Sequence, residues 1–134
     1  MSRHETKLIK SIVAAACGIL LFSPLVFAHH SFAVHFVSDR LVTVTGVVED
    51  FRFTNPHGVL LFKAIDDKGE EVEWKAETNS PNVLRRRGWA KDSFKPGDRI
   101  TIEGFPSRDM GNYMRISHVV FEDGHELFAQ AKAD

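Results

Sequence analysis

The order of the secondary-structure patterns in residues 41–128 constrains the fold more than any other feature of this sequence. Segments that are rich in Val and Thr, or that alternate apolar and polar residues, predict five strands and a short last segment. They cover residues 41–53, 59–65, 70–77, 99–105, 113–121 and 126–128. A short helical pattern at residues 81–87 lies between the third and fourth strands. This is the order of an OB-fold. We therefore predict a mainly all-β chain, a small OB-like five-stranded barrel with one short helix between strands 3 and 4. The alternative is a plain antiparallel barrel or sandwich without the helix.

Single residues refine this prediction. Gly46 lies within the first strand, where a glycine indicates a bulge or a tight bend. Ser80 followed by Pro81 is typical of a helix N-cap with proline at the first helical position. Residues 29–40 place Phe32, Val34 and Phe36 at alternating positions, which predicts an extended lead-in to the barrel.

The first 28 residues have the composition of an export signal. Three cations, Arg3, Lys7 and Lys10, precede a stretch of residues 11–28 without a charge, and Ala28 is a suitable residue for cleavage before His29. We therefore expect a signal helix that is cut between Ala28 and His29, a protein exported to the periplasm, and membrane contact only during export. The alternatives are a retained membrane anchor and a lipoprotein cut before Cys17.

Cleavage would set the composition of the mature chain. It would remove Cys17, the only cysteine, so disulfides and thiolate chemistry would be excluded. The whole chain has a net charge of −1, and the mature chain would be more acidic because more cations than anions are removed. A mildly acidic exported domain does not indicate nucleic-acid binding. The expected organisation is a signal peptide over 1–28, the lead-in over 29–40, the barrel over 41–128 and a tail over 129–134.

Several short motifs together indicate a family. They are His29-His30-Ser31-Phe32-Ala33, Thr54-Asn55-Pro56-His57, Glu73-Trp74, Ser80-Pro81-Asn82, Arg86-Arg87-Gly88-Trp89 and Lys95-Pro96-Gly97-Asp98. With them the chain resembles a family of small exported bacterial proteins of unknown function, which has a mature His-His-Ser-Phe start and an Asn-Pro-His motif. The resemblance implies export and an OB-like barrel. It implies no activity, because the family has none that is established.

The histidines at the expected mature terminus indicate metal chemistry. After cleavage, His29 would offer its α-amino nitrogen and its imidazole to one metal ion, and a second histidine would complete a set of three nitrogens. Such a set suits Cu(II), with Zn²⁺ as the second choice. The α-amine loses its proton readily near neutral pH. His57, in the turn after the first strand, is the favoured partner, and His30 is a further candidate ligand. The alternative is that these histidines are only exposed polar residues.

Three functions remain open at this point. The broadest is an exported OB-like binding protein, with copper as its sharpest candidate ligand. The alternative is an interaction module without a metal, which would bind an envelope protein or a small ligand through an aromatic and arginine patch near Trp89 and residues 85–87. A small copper redox enzyme is the least favoured, because so short a chain leaves little room for a substrate cleft. The prediction therefore leans away from an enzyme.

Overall fold

The computed structural model describes residues 30–130 of the chain, with side chains from Phe32 onward. It contains two short helices and six strands. In chain order these are α1 (His30–His35), β1 (Val42–Arg52), β2 (Val59–Ile65), β3 (Glu71–Glu77), α2 (Pro81–Arg85), β4 (Arg99–Pro106), β5 (Tyr113–Phe121) and β6 (Glu126–Phe128). The prediction of a mainly β chain with one short helix between β3 and β4 is confirmed. The predicted signal peptide and its cleavage site lie outside the described residues.

The strands close into a five-stranded barrel. β1 is antiparallel to β2 along one part of its length and to β4 along another, β2 pairs with β3, and β4 pairs with β5. The barrel closes through a parallel pairing of β3 with β5, in which Lys75, Ala76 and Glu77 face Tyr113, Met114 and Arg115. β6 adds to the outer edge of β5. This connectivity is that of an OB-fold, so the predicted OB-like barrel is confirmed.

The strand β1 is bulged, although not at its glycine. Gly46 pairs regularly with Ala64, and the register shifts between Val48 and Asp50, which leaves Glu49 as the extra residue. Of the two features expected at Gly46, a bulge or a tight bend, the bulge is therefore wrong. Gly46 serves close packing instead, because a Cβ there would lie 2.7 Å from the Phe62 ring and closer still to the backbone of β2. The sequence therefore shows a glycine in β1, but it does not show whether a bulge or close packing requires it.

The core fills the barrel with aliphatic side chains and closes one end with aromatic rings. The fully buried large residues are Leu60, Phe62, Leu84, Ile100, Ile102, Met114, Ile116 and Val119. The ring centroid of Phe94 lies 4.8 Å from that of Phe51, 5.4 Å from that of Trp89 and 5.1 Å from that of Phe121. These residues come from β1, β5 and the segment after α2, so the aromatic cluster packs the segment after α2 against the barrel.

The lead-in to the barrel is helical, not extended as predicted. Residues 30–35 form α1. The Phe36 N–H donates to the Phe32 carbonyl at 2.9 Å, and this helical spacing of four residues places both rings on one side. Phe32 packs edge-on against Phe105, with ring centroids 5.3 Å apart, and Phe36 packs against Tyr113 at 5.5 Å. Val34, which an extended strand would place beside them, is exposed. Two anchoring aromatic contacts on the barrel wall thus decide the conformation.

The helix α2 follows the expected local signals in part. Ser80 has extended backbone angles at the N-cap position and Pro81 begins the helix, but the Ser80 side chain makes no capping hydrogen bond. Pro81 and Leu84 bury the inner side of the helix against the barrel. Within residues 30–130, neither helix is long and apolar enough to cross a membrane.

Candidate functional site

The turn that carries His57 is fastened to the end of β3. The Gly58 N–H donates to the Asn79 carbonyl at 3.3 Å, and the Thr78 N–H donates to the Gly58 carbonyl at 2.8 Å. Only glycine fits at position 58, since a Cβ would lie 2.5 Å from the Thr78 hydroxyl oxygen. The Asn55–Pro56 peptide bond before it is cis. The backbone that follows His57 is therefore held by contacts with Thr78 and Asn79.

Neighbouring strands place charged side chains in one row on the outer face of the barrel. Val59 on β2 faces Glu77 on β3, Glu77 faces Arg115 on β5, and Arg115 faces Phe105 on β4. Adjacent strands lie about 4.8 Å apart, so the Glu77 and Arg115 side chains meet directly. His57 precedes the β2 end of this row by two residues. The row brings together groups from four strands that are distant in the sequence.

Glu77 is the centre of a polar cluster, which we define as His57, Glu77, Asn79, Tyr113 and Arg115. The Arg115 Nη1 donates to Glu77 Oε1 at 2.6 Å, and the Tyr113 hydroxyl donates to Glu77 Oε2. The His57 Nε2 lies 3.6 Å from Glu77 Oε1, which is an ion-pair distance but too long for a hydrogen bond. The side chains of Glu77 and Arg115 are 19% and 13% exposed, whereas that of His57 is 45% exposed. His57 is thus more exposed to solvent than Glu77 and Arg115 in the polar cluster.

Burial and the carboxylate change the acidity of two members of this cluster. Burial, with the hydrogen bond to Glu77, raises the pKa of Tyr113 well above its ordinary value, so the phenol stays protonated. Burial lowers the pKa of Arg115, and the nearby Glu77 carboxylate opposes that shift. Arginine nevertheless stays a cation at neutral pH. The negative charge of Glu77 is therefore balanced within the cluster.

The same cluster continues to the C-terminal segment of the barrel. Arg115 Nη2 donates to Asn79 Oδ1, Asn79 Nδ2 donates to the Ala129 carbonyl at 2.6 Å, and Arg87 donates to the same carbonyl. The indole N–H of Trp89 donates to the Phe128 carbonyl at 3.0 Å. Arg87 and the buried Trp89 thus hold the C-terminal segment.

Of the predicted aromatic and arginine patch, Arg85 keeps an exposed position over an aromatic ring. Its guanidinium lies 5.2 Å from the centre of the Phe53 ring, a distance at which a cation is attracted to a ring face. The hydrogen bond from Arg85 to the Asn82 side chain, at 3.2 Å, fixes the approach further.

Of the three predicted metal ligands, the structure describes the side chain of His57 alone. His29 lies outside the described residues, and His30 begins α1 with its side chain outside the description. His57 is described and lies beside Glu77. Among residues 30–130, no group of three or more His, Asp or Glu side chains is arranged to hold a metal ion.

Two other histidines, His118 and His125, lie on β5 and in the turn between β5 and β6. The His118 ring stacks on Phe128 at 4.3 Å, and its buried Nε2 lies 3.3 Å from a Glu126 carboxylate oxygen without making a hydrogen bond of good geometry. The contact with Glu126 is therefore an electrostatic one, because direction decides whether a short contact is a hydrogen bond. The His125 backbone N–H, together with the His125 Nδ1 at 2.6 Å from Asp123, lowers the pKa of Asp123. Both histidines have local structural partners.

Sequence patterns did not indicate Glu77, Tyr113 and Arg115 as site residues. On β3, Glu77 follows the alternation of Glu71, Glu73 and Lys75, which reads as a solvated face. The signal that separates it is the parallel pairing of β3 with β5, which brings Arg115 opposite to it. That pairing depends on barrel closure, and the sequence of neither strand predicts it.

The fold and the polar cluster define a small OB-like barrel with a charged outer row and an exposed histidine at its edge. A family model described as a family of unknown function, DUF6152, matches residues 18–115. The chain belongs to this family, and the resemblance to a family of unknown function is confirmed. A comparison with curated proteins found no match.

Proposed function

We propose that this chain is an exported periplasmic OB-like binding protein, cut after Ala28, and that it binds Cu(II) through the new amino terminus at His29 together with His57. The observation that carries the proposal is the position of His57. Its imidazole is half exposed on a fastened turn, beside a carboxylate that is itself held in place. The composition of residues 1–28, which is that of an export signal, supports the proposed localisation.

Glu77 supports His57 as a positioning group. Metal-binding histidines commonly hold their second ring nitrogen toward a carboxylate, which orients the ring. Glu77 Oε1 lies 3.6 Å from the His57 Nε2, an ion-pair distance and not a hydrogen bond, which leaves Nδ1 as the nitrogen for a metal ion. Glu77 itself is engaged by Arg115 and Tyr113. A cation beside that carboxylate disfavours a metal there, so Glu77 would orient the ring and Nδ1 would bind the ion.

The choice of copper follows from the donor set. A primary amine and two imidazoles supply nitrogen atoms only, and Cu(II) leads the divalent affinity order with such ligands. Zn²⁺ is the second choice because imidazole also suits it. The proposal depends on His29, since the described residues alone bring no sufficient ligand set to His57. His30 is a further candidate ligand of the same terminus.

The test is a calorimetric Cu(II) titration of the exported, processed protein. The proposal expects one ion per chain, and a loss of affinity of about 100-fold or more, or about 2.7 kcal/mol, when one residue is added before His29 or in His57→Ala. His125→Ala is the matched control, because that histidine is exposed and has its own partner, Asp123. Equal affinity in all four proteins would overturn the copper proposal.

A second candidate function is an interaction module without a metal, for an envelope protein or a small ligand. Arg85 over Phe53 favours it, since an exposed cation held on an aromatic ring suits an acidic or aromatic group. Two results together would support this function. The protein would not bind copper in the titration, and it would bind immobilised envelope extract whereas Arg85→Ala would not. A copper redox enzyme would in addition require turnover with an oxidant, which is the least favoured outcome.

A further inference from the structure

The first part of β1 is paired on one side only among the described residues. Residues 42–45 pair with β4, whereas the pairing with β2 begins at Gly46. In an antiparallel ladder, alternate residues direct their N–H and C=O groups to opposite sides. Alternate residues of this segment therefore direct backbone groups away from β4, where no described strand accepts them. Such an edge is a template for pairing with another chain.

A groove runs along this edge, between β1 and the hairpin of β2 and β3. It consists of two adjoining clefts of about 570 and 560 Å³, which share Thr45, Ala64, Ile65 and Arg99 in their walls. The free edge from residue 42 to residue 45 covers about 10 Å, and the groove continues past it along residues 46–48, which β2 already pairs. Two aliphatic side chains on the wall, Val47 and Ile65, are 40% and 66% exposed. The groove thus offers an unpaired edge together with apolar contact.

The charges around the groove are mainly negative. Four carboxylates belong to its walls, those of Glu49, Asp66, Asp67 and Glu71. Two cations, Lys63 and Arg99, oppose them, and Lys63 is shared by two carboxylates, at 3.2 Å from Glu49 and 2.9 Å from Glu71. An acidic segment, or the same face of a second copy, would therefore meet like charges.

We propose that this groove binds an extended, basic peptide segment of a partner protein, which adds as a strand to residues 42–45 of β1. Main-chain hydrogen bonds to the free edge provide the affinity, and alternate side chains provide the selectivity. Aliphatic side chains of the segment contact Val47 and Ile65, and cationic ones reach Asp66 and Asp67. The site uses no histidine and is independent of the copper proposal.

The test uses the purified protein and two capped pentapeptides, with alternating lysine and valine or alternating glutamate and valine. We expect the lysine peptide to shift the ¹⁵N–¹H signals of residues 42–48 and to slow amide exchange within the free edge, residues 42–45. We expect the glutamate peptide to bind at least about tenfold more weakly. A lysine peptide with N-methylated backbone amides should also lose binding, because it cannot donate to the edge.

Two matched variants locate the contact. Ile65→Lys places a cation on the groove wall at a largely exposed position, so the fold is kept and the lysine peptide should bind about tenfold more weakly. Met110→Lys makes the same change at an exposed apolar residue outside the groove walls, and should leave binding unchanged. The proposal is overturned by an absence of shifts, by shifts confined to another surface, or by equal binding of the two peptides.

Discussion

The pair of Glu77 and Arg115 is expected to stabilise the barrel where β3 and β5 close it. Arg115→Met would keep the aliphatic stem but remove the cation that donates to Glu77 at 2.6 Å. Breaking a buried pair costs about 3–5 kcal/mol. Because these side chains are 13% and 19% exposed, we take the lower end, about 3 kcal/mol. For a domain of about 100 residues this is a fall in Tm of about 12–24 °C.

Urea denaturation followed by tryptophan fluorescence measures this loss. Glu77→Met and the double variant complete a double-mutant cycle, for which we expect a coupling energy of about 1–2 kcal/mol, since the double variant leaves no unpaired charge. Arg86→Met, at an exposed arginine, is the control and should change stability by less than about 0.5 kcal/mol. A loss below about 1 kcal/mol in Arg115→Met, or strict additivity in the cycle, would refute the reasoning.

Three further predictions concern the barrel itself. Gly46→Ala should cost about 2–3 kcal/mol in urea denaturation, because the new Cβ would overlap β2. Gly69→Ala should cost only about 1 kcal/mol, because that position has a positive φ but open space around it. Equal losses in the two variants would contradict this account. Tyr113 has a raised pKa in the folded state, so its contribution to stability is complete below about pH 10 and is lost as pH rises further; Tyr113→Phe should flatten that alkaline decline in a pH series of Tm values. Trp89→Phe should lose at least about 1 kcal/mol, because it removes the hydrogen bond to Phe128 and also shrinks a buried ring; an unchanged urea midpoint would contradict both contributions.

Local patterns in the sequence predict the strands because turn residues bound each of them. The limits of β2 and β5 agree fully with the prediction, Val59–Ile65 and Tyr113–Phe121, since proline, glycine and aspartate end the neighbouring turns. The order of elements then selects the OB-like closure. The strand limits and the order of elements depend on residues that are close in the sequence, and local sequence patterns therefore predict them.

Features that depend on contacts between distant elements were predicted less well. The residues of α1 alternate in a way that suits a strand, and only the rings of Phe105 and Tyr113 on the barrel wall favour the helical spacing. The bulge lies at Glu49, which no local signal marks. Likewise, the polar cluster around Glu77 depends on the parallel register with β5. The sequence alone makes His57 a candidate, whereas its carboxylate neighbour Glu77 is identified only by the fold.

The most direct test of the proposed function is an electron paramagnetic resonance spectrum of the processed protein with one equivalent of Cu(II). The account predicts superhyperfine coupling to three nitrogen atoms, the amine and imidazole of His29 and the imidazole of His57, with one nitrogen lost in His57→Ala. A spectrum of weakly bound copper, or the same nitrogen couplings with and without His57, would contradict it.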